Sequence, residues 1–172
     1  IAQADIVVVT MLFMEDHFLP ILPALQARRE HCDAMVCAMS AGEVAKLTLM
    51  GKFDMSKPAS GPMALLKKLR GKPAADGKGG TPTGGEKQMK MLRRLPQLLR
   101  FIPGTAQDVR AYFLTLQYWL GGSQENVANL VRFLTDRYAA GPRAALRGSL
   151  TASAPVEYPE VGVYHPRMNT SA

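Results

Sequence analysis

The sequence predicts an α/β fold that opens with a parallel strand, helix, strand unit and continues into a mainly helical region. Two apolar runs of strand length, Ile6–Val9 and Ala34–Met39, contain no charged residue, which is typical of parallel strands buried on both faces. Between the runs, apolar residues recur at the spacing of one helical face, namely at Phe18, Ile21, Leu22 and Leu25. We therefore expect a partial Rossmann-like or flavodoxin-like parallel βαβ unit.

Two prolines lie near the start of the helix between these strands. A proline is tolerated in the first turn of a helix but costs about 3 kcal/mol in its interior. We therefore place the helix start near Leu19, with Pro20 in the first turn and a distortion at Pro23. A parallel pair of strands would leave a long apolar edge open, so we also expect that an earlier strand and helix are missing from this unit.

A serine and a glutamate after the second strand have the S-x-x-E spacing of a capping box, in which both side chains bond backbone amides at a helix start. This pair, Ser40 and Glu43, predicts a short helix that stops at Gly51 and whose inward face comprises Val44, Leu47 and Met50. The same pair could instead form the edge of a functional site, because ligands of open α/β sheets bind at the carboxyl ends of the strands.

The second half of the chain has helical periodicity. Thr105 is expected to cap a helix that ends at Gly121-Gly122, and Ser123 is expected to cap the next one. Each helix has an apolar stripe, and together the two predict an αα-hairpin. The first stripe is Val109, Tyr112, Phe113, Leu116, Trp119 and Leu120, and the second is Val127, Leu130, Val131, Leu134 and Tyr138.

These patterns divide the chain into four parts. Residues 1–70 form a partial α/β domain that lacks its first strand, with a short helix after Gly61-Pro62. Residues 71–85 form a flexible loop rich in Gly, Pro and Lys, because this segment has too little apolar surface to offset its ordering entropy. Residues 86–140 are helical, and residues 141–172 are a linker, with a short strand near its end, into a main body that is missing here.

Positive charge is concentrated in one segment of the chain. The net charge is +7, with 20% charged and 47% hydrophobic residues. Between Lys67 and Arg100 there are ten Lys or Arg residues against two acids, which suggests an acidic partner. The residues that we single out are Lys87, Lys90, Arg93, Arg94 and Arg100. Aromatic residues for base stacking are almost absent there, so we expect no nucleic acid, and no apolar run is long enough to cross a membrane.

One cluster of polar side chains follows the carboxyl end of the first strand. Glu15, Asp16 and His17 could bind a divalent metal or relay protons, or they could shape the turn between strand and helix. The metal, if any, is not defined by the sequence. No nucleophile, zinc-protease or phosphate-loop motif is present, so we assign no catalytic residue.

Several strings, in order along the chain, resemble a known family. They are Met11-Leu-Phe-Met-Glu-Asp-His17, Cys32-Asp-Ala-Met-Val-Cys37 with Ser40-Ala-Gly-Glu43, Ser60-Gly-Pro-Met-Ala-Leu-Leu-Lys-Lys-Leu-Arg70, and the run from Phe101-Ile-Pro-Gly-Thr105 to Gly122. They closely resemble the large, porphyrin-binding H subunits of magnesium chelatases, and the large subunit of aerobic cobaltochelatase is the alternative.

This resemblance implies a part of an ATP-dependent complex that inserts Mg²⁺ into protoporphyrin IX in chlorophyll or bacteriochlorophyll synthesis. It implies that Mg²⁺ and protoporphyrin IX are substrates of the whole subunit, and that partner AAA+ motor subunits use the ATP. A cytoplasmic or plastid-stromal location follows from the same resemblance, and so does a peripheral one at photosynthetic membranes. Family members are much longer, so the chelation residues are expected elsewhere, and a non-catalytic interaction module is the other alternative.

Overall fold

The computed structural model describes residues 1–58, 94 and 96–157. Strands β1 (Ile6–Thr10) and β2 (Ala34–Ala38) are parallel, with Val8 opposite Val36. Strands β3 (Leu49–Met50) and β4 (Phe53–Asp54) are antiparallel to their neighbours. Within the described residues the strands form one mixed sheet in the order β1-β2-β3-β4. The prediction of an α/β fold that opens with a parallel unit is confirmed.

Two helices connect β1 to β2. Helix α1 spans Glu15–Phe18 and helix α2 spans Leu22–Arg29. The predicted start near Leu19 is wrong, because Pro20 lies between the two helices and α2 begins after it. Pro23 lies in the first turn of α2, where its missing N–H has no helical partner, so it causes no distortion.

The segment after β2 contains one helical turn followed by a β-hairpin. Helix α3 spans only Gly42–Ala45, so the predicted helix up to Gly51 is wrong. Gly51 has φ 56° and starts a two-residue turn between β3 and β4, a conformation that glycine adopts without steric cost. Just before β3, the Thr48 hydroxyl bonds both the N–H and the C=O of Cys37, at 3.0 and 3.1 Å.

Two long helices form the predicted αα-hairpin. Helix α4 spans Thr105–Gly121 and helix α5 spans Gln124–Tyr138. Gly122 ends α4 in the left-handed conformation, and the Ser123 side chain caps α5, as predicted. The cap predicted at Thr105 is wrong, because Gly104, with φ 77°, precedes the helix and makes Thr105 its first residue.

The sheet has a hydrophobic cluster on each face. On one face, α1, α2 and α3 pack against alternate strand residues, and the buried members of this cluster are Val7, Phe18, Leu25, Met35, Cys37, Val44 and Leu47. On the other face lie the helices of the hairpin, with Ala34, Val36, Ala38, Met50, Ala111, Tyr118, Leu130, Leu134 and Tyr138. The sheet and the hairpin therefore share one core.

The inner face of the hairpin differs in part from the predicted stripes. Leu120, Val127 and Val131 belong to the predicted stripes but are exposed, so the stripes do not coincide with the buried face of the hairpin. Asn126 and Asn129 are buried instead, because the chain beyond α5 returns and covers that side of the helix. A third cluster joins Phe53 of β4 to the start of α4.

Several predictions fall on residues that the structure does not describe. They are the helix after Gly61-Pro62, the loop at 71–85, the helix from Glu86 as far as Arg93, and the strand within 161–167. In the described ranges, every helix is too short or too polar to cross a membrane.

The carboxylate of Asp54 links β4 to α2 and gives the fold an acid-sensitive contact. It accepts hydrogen bonds from the Ser56 amide and hydroxyl, at 2.9 and 2.7 Å, and pairs with Arg29. Burial alone would raise the pKa of Asp54, but the Ser56 donors and the Arg29 guanidinium lower it from 3.8 to about 2.

A carboxyl pKa that is lower in the folded state stabilises the fold above the unfolded-state pKa, and this stability disappears as the pH falls toward the folded-state value. We expect the free energy of unfolding to fall between about pH 4 and about pH 2, and we expect Asp54→Asn to reduce that slope. Urea unfolding across this range measures the effect. Equal slopes in the two proteins would contradict the role of Asp54.

Candidate functional site

The carboxyl ends of β1 and β2 meet in a tightly bonded pair of segments. The Met11 amide donates to the Met39 carbonyl at 3.0 Å, and the Ala41 amide donates to the Leu12 carbonyl at 2.7 Å. Met11 and Met39 have φ values of 63° and 47°, a conformation that costs an ordinary residue about 1–2 kcal/mol. Such strain persists only where the surrounding bonds hold the backbone in place.

Ser40 takes part in this junction and does not cap α3. Its Oγ accepts from the Leu12 amide at 3.2 Å and donates to the Ala38 carbonyl at 3.1 Å. The helix begins after Ala41 without a side-chain cap, so the predicted capping box of Ser40 and Glu43 is wrong. The hydroxyl is already engaged between the two strand ends, and Glu43 is exposed in the first turn of α3.

The predicted polar cluster lies beside this junction, on α1. Glu15, Asp16 and His17 are all exposed, and His17 Nε2 is 4.0 Å from the nearer Asp16 oxygen. Because consecutive helical residues point about 100° apart, the three side chains do not converge on one point. Among the described residues, no three His, Cys, Asp or Glu side chains form a group that could hold a metal ion. Metal binding or proton transfer by these three stays a prediction.

The predicted basic segment is only partly described. Arg94 and Arg100 are exposed, and a role for them in partner contact stays a prediction. Lys87, Lys90 and Arg93 lie outside the described residues.

A second polar centre, around Asp108, was not predicted. Asp108 lies in the first turn of α4, and its Oδ2 accepts from the Lys52 amide at 2.9 Å. Its Oδ1 accepts from Arg137 at 3.2 Å and from the Tyr138 hydroxyl at 3.0 Å. Burial raises the pKa of Tyr138, so this phenol stays protonated and donates. One carboxylate thus joins the β3-β4 turn to both helices of the hairpin.

An open cavity of about 780 Å³ lies beside Asp108. Its lining carries both signs of charge, including Asp33, Lys52, Asp136 and Arg147. The carboxylates are used to hold the chain after α5, since Asp33 accepts from the Ala140 amide and Asp136 accepts from the Leu150 amide, both at 2.8 Å. The carboxylates of Asp33 and Asp136 therefore hold the chain after α5 in place.

Two buried asparagines bind the extended segment at residues 153–156, which we call the strap. Asn126 donates to the Val156 carbonyl and accepts from the Val156 amide, both at 2.9 Å. Asn129 accepts from the Ser153 amide at 3.2 Å, and Tyr118 donates to the Ser153 carbonyl. Residues 141–157 were predicted as part of a linker, but the strap is bonded to the hairpin.

Comparison with known proteins divides the chain inside α4. Residues 1–113 match a family described as a domain of unknown function, DUF3479, and residues 116–172 match the family described as CobN/Magnesium Chelatase. Both limits lie within Thr105–Gly121. The hairpin that completes the core of the α/β unit is therefore shared between the two matched regions.

Individual relatives agree with the family match. The chain is 54% identical over 168 residues to the magnesium-chelatase H subunit of Cereibacter sphaeroides, covering 98% of this chain, and 53% identical over 165 residues to that of Rhodobacter capsulatus, covering 96%. It is 29% identical over 168 residues to the chloroplastic magnesium-chelatase ChlH protein of Oryza sativa subsp. japonica, covering 96% of this chain and 11% of the relative.

By their sequence, the α/β unit and the helical hairpin that completes it belong to the class of large chelatase subunits. The chain belongs to the family of magnesium-chelatase H subunits. It spans about 13% of the length of the Cereibacter and Rhodobacter relatives.

Proposed function

We propose that this chain is part of a porphyrin-binding H subunit of magnesium chelatase, which inserts Mg²⁺ into protoporphyrin IX in chlorophyll or bacteriochlorophyll synthesis. Mg²⁺ and protoporphyrin IX are the substrates of the whole subunit, and AAA+ partner subunits hydrolyse the ATP. Identity of 54% over nearly the whole chain carries this proposal. The subunit acts in the bacterial cytoplasm or plastid stroma, peripherally at photosynthetic membranes.

Within that subunit, this chain supports the chelating body and does not carry the chemistry. The observation behind this role is the core shared across the two matched regions, in which Val36 and Met50 of the sheet pack with Leu130 and Leu134 of α5. The strap then fastens the chain after α5 to the same hairpin. Together, the shared core and the bonded strap fix the position of residues 153–156 relative to the α/β unit.

The main test uses the complete porphyrin-binding subunit that contains this chain, together with its motor subunits, ATP, Mg²⁺ and protoporphyrin IX. Formation of magnesium protoporphyrin is followed by fluorescence. We expect the double variant Asn126→Ala/Asn129→Ala to insert Mg²⁺ several-fold more slowly, because the strap is released, while porphyrin affinity measured by fluorescence quenching stays the same. Val131→Ala, an exposed change on the same helix, serves as the matched control.

Two results would contradict this role. One is magnesium insertion by the 172-residue chain alone with the motor subunits and ATP. The other is an unchanged insertion rate in the double variant although hydrogen exchange shows that the Val156 amide has lost its protection. Replacing Mg²⁺ by Co²⁺ tests the alternative of a cobaltochelatase relative, which the description of the second matched family supports.

We also propose that the basic segment contacts the motor subunits. Two of its residues, Arg94 and Arg100, are exposed, so their charges are available to an acidic partner. In the complete subunit, Arg93→Glu/Arg94→Glu is expected to weaken motor binding and to make the remaining binding less sensitive to salt. Unchanged binding in a pull-down titration would dismiss this contact.

A further inference from the structure

Four large apolar side chains are exposed where β1 and β2 end. Met11, Phe13, Met14 and Met39 expose 54%, 53%, 60% and 37% of their surface, and we call this group the methionine surface. Its two segments are joined by the bond from the Met11 amide to the Met39 carbonyl. Exposed apolar side chains that adjoin one another mark interaction sites more often than isolated ones do.

The backbone under the methionine surface is held in place. Leu12, between Met11 and Phe13, packs into the core cluster of the helical layer beside it, and its amide and carbonyl are bonded to Ser40 and Ala41. Met11 and Met39 keep the left-handed conformation although glycine would adopt it without strain. The protein thus retains two strained methionines whose side chains are exposed, and the surface is formed before any partner binds.

The charges next to the methionine surface are mainly negative. Glu15 and Asp16 follow Met14 directly, and Glu43 lies four residues after Met39; all three are exposed. Lys46 lies at the other end of α3 from Glu43. We call Glu15, Asp16 and Glu43 the acidic edge. The whole chain has a net charge of +7, so any attraction of a cation to this place comes from the acidic edge and not from the net charge.

We propose that the methionine surface docks an amphipathic helix of a partner protein, with basic residues beside its apolar face. Methionine side chains are flexible and polarizable and adapt to the apolar face of a helix. The acidic edge pairs with the basic residues of the helix and sets its direction. An anionic membrane is the wrong occupant for this edge, because Glu15 and Asp16 are repelled by its surface potential.

The test uses the full chain and a labelled synthetic helix of leucine and lysine as the probe, with fluorescence anisotropy at low salt. A version with glutamate in place of lysine is the charge control. We expect the lysine helix to bind and the glutamate helix not to bind. Phe13→Ser/Met14→Ser, which removes apolar surface without adding charge, is expected to weaken binding by at least about tenfold. Val131→Ser, at an equally exposed site on α5, is expected to leave it unchanged.

A second variant separates docking from folding. Met11→Gly removes an apolar side chain but relieves backbone strain, so it is expected to fold at least as well as the parent while binding the probe more weakly. Glu15→Gln/Asp16→Asn is expected to reduce the salt dependence of binding. The proposal is overturned if the lysine helix does not bind, if Phe13→Ser/Met14→Ser leaves its affinity unchanged, or if anionic vesicles capture the chain through Phe13 and Met14.

Discussion

Replacing Asp108 with alanine is expected to lower the free energy of unfolding by about 3 kcal/mol. The variant loses three hydrogen bonds, and it leaves the Arg137 guanidinium and the Tyr138 hydroxyl without their carboxylate. Losing the acceptor costs more than the bonds contribute, because Tyr138 is buried and Arg137 is partly buried, with 30% of its side chain exposed. Urea unfolding followed by circular dichroism measures the change.

The geometry of the β3-β4 turn explains why this contact is specific to aspartate. A Cβ added to Gly51 would lie 2.8 Å from Asp108 Oδ2, so the turn and the carboxylate approach each other as closely as a glycine permits. Asp108→Asn can still accept bonds on one side, but its amide N–H₂ would face the Lys52 N–H, which is also a donor. We expect this variant to lose about half as much stability as Asp108→Ala.

The matched control is Asp16→Ala, because Asp16 is an exposed carboxylate at the start of another helix, where substitution is expected to change stability by less than about 0.5 kcal/mol. If Asp108→Ala unfolded at the same urea concentration as Asp16→Ala, the three bonds would have no net effect. A change in the steepness of the transition without a change in its midpoint would point instead to an effect on the unfolded chain.

Sequence patterns predicted the strands and helices that are defined by neighbouring residues or by a periodic repeat of apolar residues. The apolar runs predicted the parallel strands, and the Gly121-Gly122-Ser123 turn predicted the hairpin. The pattern failed at Met50, since an inward residue of a short helix and a residue of a buried strand look alike in sequence. Glycine with a positive φ is typical both of a helix end, as at Gly122, and of a hairpin turn, as at Gly51, so this residue does not decide between the two.

For the candidate sites too, features that depend on sequence neighbours were predicted, and contacts between distant residues were not. The position of Glu15, Asp16 and His17 at the end of β1 was predicted, because it depends only on neighbours in sequence. The Asp108 centre was not, since its partners come from positions 52, 137 and 138. Such contacts are set by the packing of the hairpin on the sheet, and no periodicity within one helix reports them.

The strap is the clearest case of a contact that helical periodicity hides. A stripe drawn through apolar residues placed Val127 and Val131 inside, yet both are exposed, while Asn126 and Asn129 are buried. The inner face is shifted because residues 153–156 supply polar backbone groups that only a polar side chain can satisfy. The sequence feature that could have indicated this contact is the pair Asn126 and Asn129, spaced i and i+3 among apolar residues of α5.

Asn126→Leu is therefore expected to be destabilising although it puts an apolar residue of similar size into a buried position. The Val156 amide and carbonyl would lose both of their bonds, at an expected cost of about 2–4 kcal/mol. Gly121 lies against the same groups, since an added Cβ would be 2.2 Å from Asn126 Nδ2 and 3.0 Å from the Val156 carbonyl oxygen. Leucine has no space to relax toward α4, so the strap is expected to detach.

Hydrogen exchange distinguishes detachment of the strap from general loosening of the fold. In Asn126→Leu, the Val156 amide should exchange at the rate of an unstructured chain, while amides in β2 remain protected. Asn129→Ala removes the bond from the Ser153 amide and a longer one from Arg132, at 3.4 Å, but neither bond to Val156. It is expected to cost about 1 kcal/mol and to leave Val156 protected. If Val156 stayed protected in Asn126→Leu as well, packing rather than the paired amide bonds would hold the strap, and the chain after α5 would be fixed by its apolar contacts.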